Sequence, residues 1–482
     1  MNKSLESITQ ALVHNEKPFE NVIINGITAN SLEIEKGNLF IAIQGNKQDG
    51  HDFIYDAIES GAIAIISNGR DIGKVKVPQI KVANPRRAAS LVAAEFYDHP
   101  SKDLTIIGIT GTNGKTTTAS LLYSILTLAG YKTAQLGTLG LKTSDVVQEY
   151  SLTTPDAISL QKSFSELKKA GISHIVMEVS SHSLDQYRVA DVDYDIAIFT
   201  NLTPEHMDYH ITMESYYQAK SRLFRMLDIH STAIINVSDT YGLRMIKETT
   251  APCITFSKDD KQSIHFSNII CSINGISGTI VAGSTKYKIN SKLVGEFNSE
   301  NILSAVSAAH TLGIDKDFIT KGINTCDAIP GRMESFSLAS GAIAIIDYAH
   351  TPDAYNSVLG TLNSIKPKGA NLYLVFGAGG DRDKTKRSEM ARIAELFATF
   401  SFVTPDNPRT ENPDTISTEI ISGFQKKYYK VYQDRGVGLE DALKMAHKND
   451  FVVILGKGRE EYQEISNKKE YYSDIDIIKR YQ

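Results

Sequence analysis

Short apolar, β-branched runs recur along this chain, separated by stretches with helical spacing. They occupy 104–110 (LTIIGIT), 174–181 (HIVMEVSS), 195–202 (DIAIFTNL), 231–237 (STAIINV), 342–350 (AIAIIDYAH), 371–381 (NLYLVFGAGGD), 400–407 (FSFVTPDN) and 450–458 (DFVVILGKG). Unbroken apolar runs of this length, bounded by Gly, Asn, Asp and Pro, mark strands buried on both faces, as in parallel sheets. The fold class is therefore α/β. Many runs end in polar or glycine-rich tails: GTNGKT, EVSSH, TNLTPEH, DYAHTPD, GAGGDRD, PDNPR and GKGRE. Ligands of open α/β sheets bind outside the carboxyl ends of the strands, so chemistry is expected in these tails.

Two stretches read as boundaries. Residues 83–103 suggest a helix followed by a Pro-containing connector, and 328–335 (AIPGRMES) a second linker. Three domains result, at 1–101, 102–331 and 332–482: an N-terminal α/β domain, a central P-loop ATPase-like parallel sheet and a C-terminal Rossmann-like domain. Within the middle one, 253–283 alternates with turn residues and predicts a meander or an extension of the sheet. No internal repeat or low-complexity tract is evident.

Composition narrows the function classes. A chain of 482 residues has room for two to four domains. Its 51 Lys and Arg nearly balance its 56 Asp and Glu, and no basic block appears, which disfavours binding to nucleic acid through phosphates. Cys253, Cys271 and Cys326 are odd in number and scattered, without a CxxC pair, which fits a reducing compartment and neither a disulfide framework nor a zinc site. The polar start and apolar runs of about five residues predict neither a signal peptide nor a membrane span. The expectation is a cytoplasmic monomer with no membrane partner.

The strongest local signal is Gly108-Ile-Thr-Gly-Thr-Asn-Gly-Lys-Thr-Thr117, which follows a strand and opens a helical stretch ending at Gly130. Glycines let a backbone fold around phosphate oxygens, helix-start N–H groups point at them, Lys115 adds a charge and the Thr116 hydroxyl can hold Mg²⁺. The strict P-loop spacing is not met, because Ile109 stands where its first Gly belongs and glycines occupy 108 and 111 instead. Glu178, at a strand end, is a candidate carboxylate for the metal. Taken alone, His206 reads as a structural histidine and Lys220 as a helix-surface lysine.

In order along the chain, TGTNGKTT (110–117), TTPD (153–156), MEVSSHSL (177–184), FTNLTPEHMDYH (199–210), YYQAKSRLF (216–224), GEFNSENILSA (295–305), IPGRME (329–334), DYAHTPD (347–353), GAGGDRDKTKR (377–387), DNPR (406–409) and GKGREEYQ (456–463) resemble the Mur ligase family. These are ATP-dependent, amide-forming enzymes of peptidoglycan precursor synthesis, and the resemblance spans essentially the whole chain. Among them the chain most resembles the branch that adds meso-diaminopimelate to UDP-N-acetylmuramoyl-L-alanyl-D-glutamate. The resemblance implies that ATP phosphorylates the D-Glu side-chain carboxylate and that the incoming amine attacks the acyl phosphate. The alternatives are the same reaction with L-lysine, or a related ligase such as folylpolyglutamate synthetase.

The same resemblance implies roles for individual residues. Gly111, Thr112, Asn113, Gly114, Lys115, Thr116 and Thr117 would cradle ATP, with Asn301 at the adenine and Arg332, Asp347 and His350 bringing the C-terminal domain against the nucleotide. Two Mg²⁺ ions are implied, with Thr116, Glu178, His206 and Lys220 as ligands, Lys220 as a CO2-derived carbamate (N6-carboxylysine). Lys115, Glu178, His206 and Lys220 would form the catalytic set. Thr153, Thr154, Ser180, Gln186 and Arg188 would surround the muramoyl dipeptide, while Ser31 and the loop Gly45–Gly50 match the UDP region. Arg387, Asp406, Asn407, Arg409, Gly456 and Glu460 would hold diaminopimelate, Arg409 facing its distal carboxylate, since a guanidinium pairs bidentately with such a group. Three positions depart from the family pattern: Asn30-Ser31-Leu32 replaces Asp-Ser-Arg, Ala378 replaces a common Cys, and Arg459 replaces a usual His beside Glu460, whose charge it could alter.

Overall fold

The computed structural model describes residues 1–12, 22–45, 48–150, 152–258, 263–272, 274–326, 329–466 and 468–482. All eight apolar runs form strands, and each of these pairs in parallel with a neighbour. Among the described residues, the largest sheet has eleven strands. Seven of them run parallel, in the order Thr133–Gly137, His174–Glu178, Thr105–Thr110, Ile196–Phe199, Thr232–Asn236, Cys253–Ser257 and Ile264–Ser272. The antiparallel strands Gly275–Ala282 and Thr285–Ser291 continue one edge, so the alternating stretch is a sheet extension. Residues 259–262 and 273 of that stretch lie outside the described residues.

Strand Thr105–Thr110 sits mid-sheet, flanked by His174–Glu178 and Ile196–Phe199. Their three carboxyl-end tails therefore meet at one edge. The helix Lys115–Leu128 follows directly and stops where Gly130 takes φ +90°, a left-handed stop that glycine makes without steric cost. Ile107, Ile109, Leu122, Ile198 and Ile302 pack on one face of the sheet, and Ile106, Met177, Phe199, Tyr216 and Phe224 on the other.

The C-terminal sheet contains five parallel strands, in the order Ile343–Asp347, Phe451–Leu455, Leu372–Phe376, Phe400–Val403 and Tyr429–Val431, with the antiparallel Glu334–Ser337 on its edge. That edge strand begins inside the stretch read from sequence as a linker. Four short parallel strands, Gly26–Thr28, Asn38–Ile41, Ala64–Ser67 and Gln79–Lys81, make the N-terminal sheet, and helix Pro85–Phe96 packs Ala88, Ala89, Val92 and Phe96 into its core. The helix end is tied to the central body by a bidentate ion pair between Arg87 and Asp191. No helix among the described residues is long and apolar enough to cross a membrane.

Candidate active site

The loop after Thr105–Thr110 has little room for anything but glycine at two positions. A Cβ on Gly111 would lie 1.9 Å from Thr200 Oγ1, and one on Gly114, at φ +88°, 2.2 Å from Asn301 Oδ1. Asn201 Oδ1 accepts the Asn113 N–H at 2.8 Å, and the Thr200 hydroxyl donates to Asn113 O at 2.6 Å, so the loop is held open by the neighbouring tail. Lys115 folds back over it, its ammonium donating to Gly111 O at 2.8 Å and Thr112 O at 2.7 Å.

Glu178 is fully buried beneath the loop. It accepts from the Thr116 hydroxyl at 3.0 Å and from the Thr138 N–H at 2.8 Å. The Arg332 guanidinium reaches Thr116 Oγ1 at 3.4 Å and lies 5.1 Å from the Tyr348 ring centroid. Lys220 is 1% exposed, donates to Gly111 O at 2.8 Å and stands 4.6 Å over the Tyr216 ring. Burial, reinforced by the nearby Lys115 charge and opposed by Glu205, pulls the Lys220 amine well below the ordinary lysine range. The neutral amine is thus favoured, which is the form that reacts with CO2.

His206 begins a short helix in the left-handed conformation, and its ring packs edge-on against His182 with centroids 4.7 Å apart. Burial, with the neighbouring His182 and the Lys115 charge, pushes its pKa down to about 3 against the pull of Glu205. It is therefore a neutral imidazole, the form a metal ligand requires. One cavity of about 230 Å³ brings together Lys115, Thr116, Thr153, Glu178, Ser180, Glu205, His206, Lys220, Arg332, Tyr348 and His350. A second, lined by Asn113, Gly114, Thr116, Thr117, Asn301, Arg332, Asp347, Tyr348 and His350, opens beside it. A third, of about 390 Å³, runs from Glu205 and His206 to Arg382, Asp406, Asn407, Arg409, Gly456 and Glu460. Tyr348 and His350 line all three.

Residues 109–309 match the Mur ligase middle domain, 331–458 the Mur ligase glutamate ligase domain and 23–97 the Mur ligase family catalytic domain. The UDP-N-acetylmuramoyl-L-alanyl-D-glutamate–2,6-diaminopimelate ligase of Bacillus cereus is 38% identical over 468 residues, covering 96% of this chain and 94% of that one. The enzyme of the same name from Aquifex aeolicus is 40% identical over 457 residues, covering 95% and 93%. The chain belongs to the Mur ligase family. A solved structure of a protein with that name superimposes with a TM-score of 0.71 at 30% identity, covering 100% of this chain and 98% of that one.

In this Mur ligase some residues singled out from sequence stand apart from the cavities. Arg387 is fully buried and does not line the third cavity; its guanidinium pairs with Glu411 at 3.0 Å and Glu419 at 2.6 Å and donates to Gly379 O. It braces the glycine-rich tail. Thr154 is turned inward, bridging Glu178 O at 2.9 Å and the Ser180 N–H at 3.1 Å. Arg188 grips Thr154 O and Gln186 Oε1 behind the surface. Ser31 opens a short 3-10 turn and lines none of these cavities, and Asn46 and Lys47 of the Gly45–Gly50 loop lie outside the described residues. Arg459 does not pair with Glu460. It forms an ion pair with Glu334, on the edge strand, leaving Glu460 to accept from Asn407 Nδ2 at 2.8 Å and Lys457 at 3.3 Å.

Three residues of this site escaped the sequence reading. Glu205 bonds His350 at 3.1 Å across the two sheets, and although burial opposes it, this bond and the nearby Lys115 charge hold its carboxyl below the usual range. Lys457, 1% exposed, ties Asn407 to Glu460. Glu464, on the hairpin Tyr462–Ile465 and Lys468–Tyr471, accepts from Arg409 Nε at 3.1 Å. Glu205 adjoins His206 and Lys457 lies in GKGRE, so both sat in tails already marked for chemistry; nothing in the sequence pointed to Glu464.

Proposed function

We propose that this protein adds meso-diaminopimelate to the D-Glu side-chain carboxylate of UDP-N-acetylmuramoyl-L-alanyl-D-glutamate at the expense of ATP. The observation that carries the reading is the meeting of the three cavities at Tyr348 and His350. ATP in the second, the acceptor carboxylate in the first and the amino acid in the third would place all reacting atoms in one continuous space. The carboxylate oxygen attacks the γ-phosphorus and ADP leaves. The amine then attacks the acyl carbon, phosphate departs, and the nitrogen loses a proton to give the amide.

The chain contributes position and charge. Lys115 exchanges its loop carbonyls for phosphate oxygens, and Arg332 approaches from the C-terminal sheet to neutralise charge on the transferring group. The Thr116 hydroxyl and Glu178 carboxylate are hard oxygen donors 3.0 Å apart, a set that suits Mg²⁺ completed by substrate phosphates. Such an ion supplies further charge neutralisation. Lys220, with its depressed amine, is the residue suited to carbamylation, which would turn a buried amine into an anion beside His206.

Arg409 is the amino-acid selector in this reading. It takes φ +54°, an unusual conformation for a side-chain-bearing residue, and is fixed by its own N–H to Glu464 O at 2.9 Å and its guanidinium to Gly380 O at 2.7 Å. A second carboxylate on the incoming amino acid would give it a bidentate partner that L-lysine lacks. The test is product formation with ATP, Mg²⁺, the UDP-muramoyl dipeptide and either amino acid. Diaminopimelate should be incorporated with stoichiometric phosphate release and lysine at least ~100-fold less efficiently; no product with diaminopimelate refutes the proposal.

A further inference from the structure

Arg459 stands in the loop after strand Phe451–Leu455, beside Glu460, and Gly456 and Glu460 of that loop line the amino-acid cavity. Arg459 itself lines none of the three cavities. Its guanidinium grips Glu334 with two nitrogens, Nε donating to Oε2 at 2.8 Å and Nη2 to Oε1. Glu334 is 6% exposed, and its Oε2 also accepts the Gly331 N–H at 2.8 Å. One buried carboxylate therefore joins the loop that carries Glu460 to the turn that carries Arg332.

That turn has to be held from outside. Gly331 takes φ +66° and Met333 φ +48°, so the backbone is left-handed on both sides of Arg332, and for Met333 that conformation persists only under restraint. The Met333 N–H donates to Asp347 Oδ2 at 2.8 Å and the Tyr348 N–H to Gly331 O at 3.0 Å, both anchored at the end of strand Ile343–Asp347. The bond from the Gly331 N–H depends instead on where the Glu334 carboxylate points, and Arg459 aims it. The Tyr348 ring closes the same joint, since a Cβ on Gly458 would lie 2.2 Å from its Cε2 and one on Gly331 2.7 Å from the same atom. From this turn Arg332 reaches Thr116 Oγ1 at 3.4 Å and lines the first and second cavities.

We infer that Arg459 is a positioning residue: through Glu334 it sets the turn that aims Arg332 at the transferring phosphoryl group. This rests on the proposed function for the role of Arg332. The loop that lines the amino-acid cavity thereby also fixes the arginine that serves ATP, while Arg459 touches neither substrate. A guanidinium fork suits the task, because two parallel bonds fix the plane of the carboxylate as well as its distance, which a lysine point charge cannot do.

The test is calorimetric binding of a non-hydrolysable ATP analogue and of ADP, each with Mg²⁺, beside steady-state kinetics. The wild type should prefer the analogue, because Arg332 meets its γ-phosphate, and Arg459→Ala should shrink that preference about 3- to 10-fold, the scale of one misplaced hydrogen bond. Arg459→Lys should recover part of it. Arg332→Ala should shrink it further, and adding Arg459→Ala to that variant should change nothing more, as for two residues acting through one contact. The kcat/KM for ATP should fall in parallel while KM for diaminopimelate stays unmoved; direct service to the amino-acid cavity would raise that KM. Arg459→Ala strands the Glu334 carboxylate, so Arg459→Ala/Glu334→Gln is measured as well. Its amide oxygen can still accept the Gly331 N–H without a buried charge, and the preference should remain reduced. An unchanged analogue-to-ADP ratio in a folded Arg459→Ala, a return to the wild-type ratio in Arg459→Ala/Glu334→Gln, or additive losses with Arg332→Ala overturns the inference. A wild type whose preference depends on Arg459 and Arg332 yet forms no amide with diaminopimelate would instead fault the ligase reading alone.

Discussion

Arg435 and Lys220 are both 1% exposed, yet their surroundings differ in kind. Arg435 donates to both oxygens of the equally buried Asp474, at 3.0 and 2.9 Å, and its remaining donors reach Thr404 Oγ1 and Leu455 O. Although burial opposes it, Asp474 holds the guanidinium charged. Lys220 donates to the Gly111 carbonyl and stands over the Tyr216 ring, and no ion pair among the described residues includes it. A buried cation with a dedicated carboxylate is part of the fold. A buried lysine held by one carbonyl next to a phosphate loop has no such partner until an anion arrives or the amine is modified. The contrast separates structural from functional charge without reference to any relative, and it places Arg387, paired with Glu411 and Glu419, on the structural side.

The contrast predicts opposite responses to truncation. Asp474→Ala leaves Arg435 buried and uncompensated and should cost about 3–5 kcal/mol in a denaturant titration, with activity per folded molecule retained. Lys220→Ala should lower turnover at least ~100-fold, a loss of about 2.7 kcal/mol of transition-state stabilisation, while leaving the fold as stable as before or more so. Small carboxylates should restore part of that turnover; full turnover without them would remove Lys220 from the mechanism. Arg409 lies between the extremes, with one half-buried carboxylate in Glu464. Arg409→Ala should raise KM for diaminopimelate about 10- to 100-fold, and erase its preference over lysine, with little effect on the KM for ATP.

Much of this arrangement was legible before the structure. Strands such as Phe451–Leu455 and Leu372–Phe376 are buried on every residue, so their apolar runs are continuous and unmistakable. The N-terminal strands Gly26–Thr28 and Gln79–Lys81 are three residues long and carry Gly, Thr, Gln and Lys, too little pattern to stand out. The hairpin that brings Glu464 to Arg409 is almost wholly polar, so hydrophobic periodicity could not reveal it. The reading of Lys220 taken alone as a helix-surface lysine fails, since it is 1% exposed, and its spacing carries the reason. Tyr216, Lys220, Leu223 and Phe224 fall at i, i+4, i+7 and i+8 on helix Met213–Arg225, the stripe that faces a core. The pairing of Arg387 could not be foreseen, because sequence shows a motif's arginine but not the two carboxylates, 24 and 32 residues further on, that bond it.

The comparison is sharpened last by pH. A lysine whose folded-state pKa lies below its unfolded value near 10.4 leaves the unfolded chain binding more protons over the interval between the two. Stability should therefore rise with pH across that interval, by up to about 1.4 kcal/mol per pH unit for the one proton concerned. Arg435 has its pKa raised, so its contribution is complete below the unfolded arginine value and is constant throughout the same range. Unfolding free energies measured between neutral and pH 10 in CO2-depleted buffer should climb for the wild type and climb less steeply for Lys220→Met, whereas Asp474→Ala should lower the curve without changing its slope. Equal slopes for the wild type and Lys220→Met would show that Lys220 is as well compensated as Arg435, and the distinction between the two would fall.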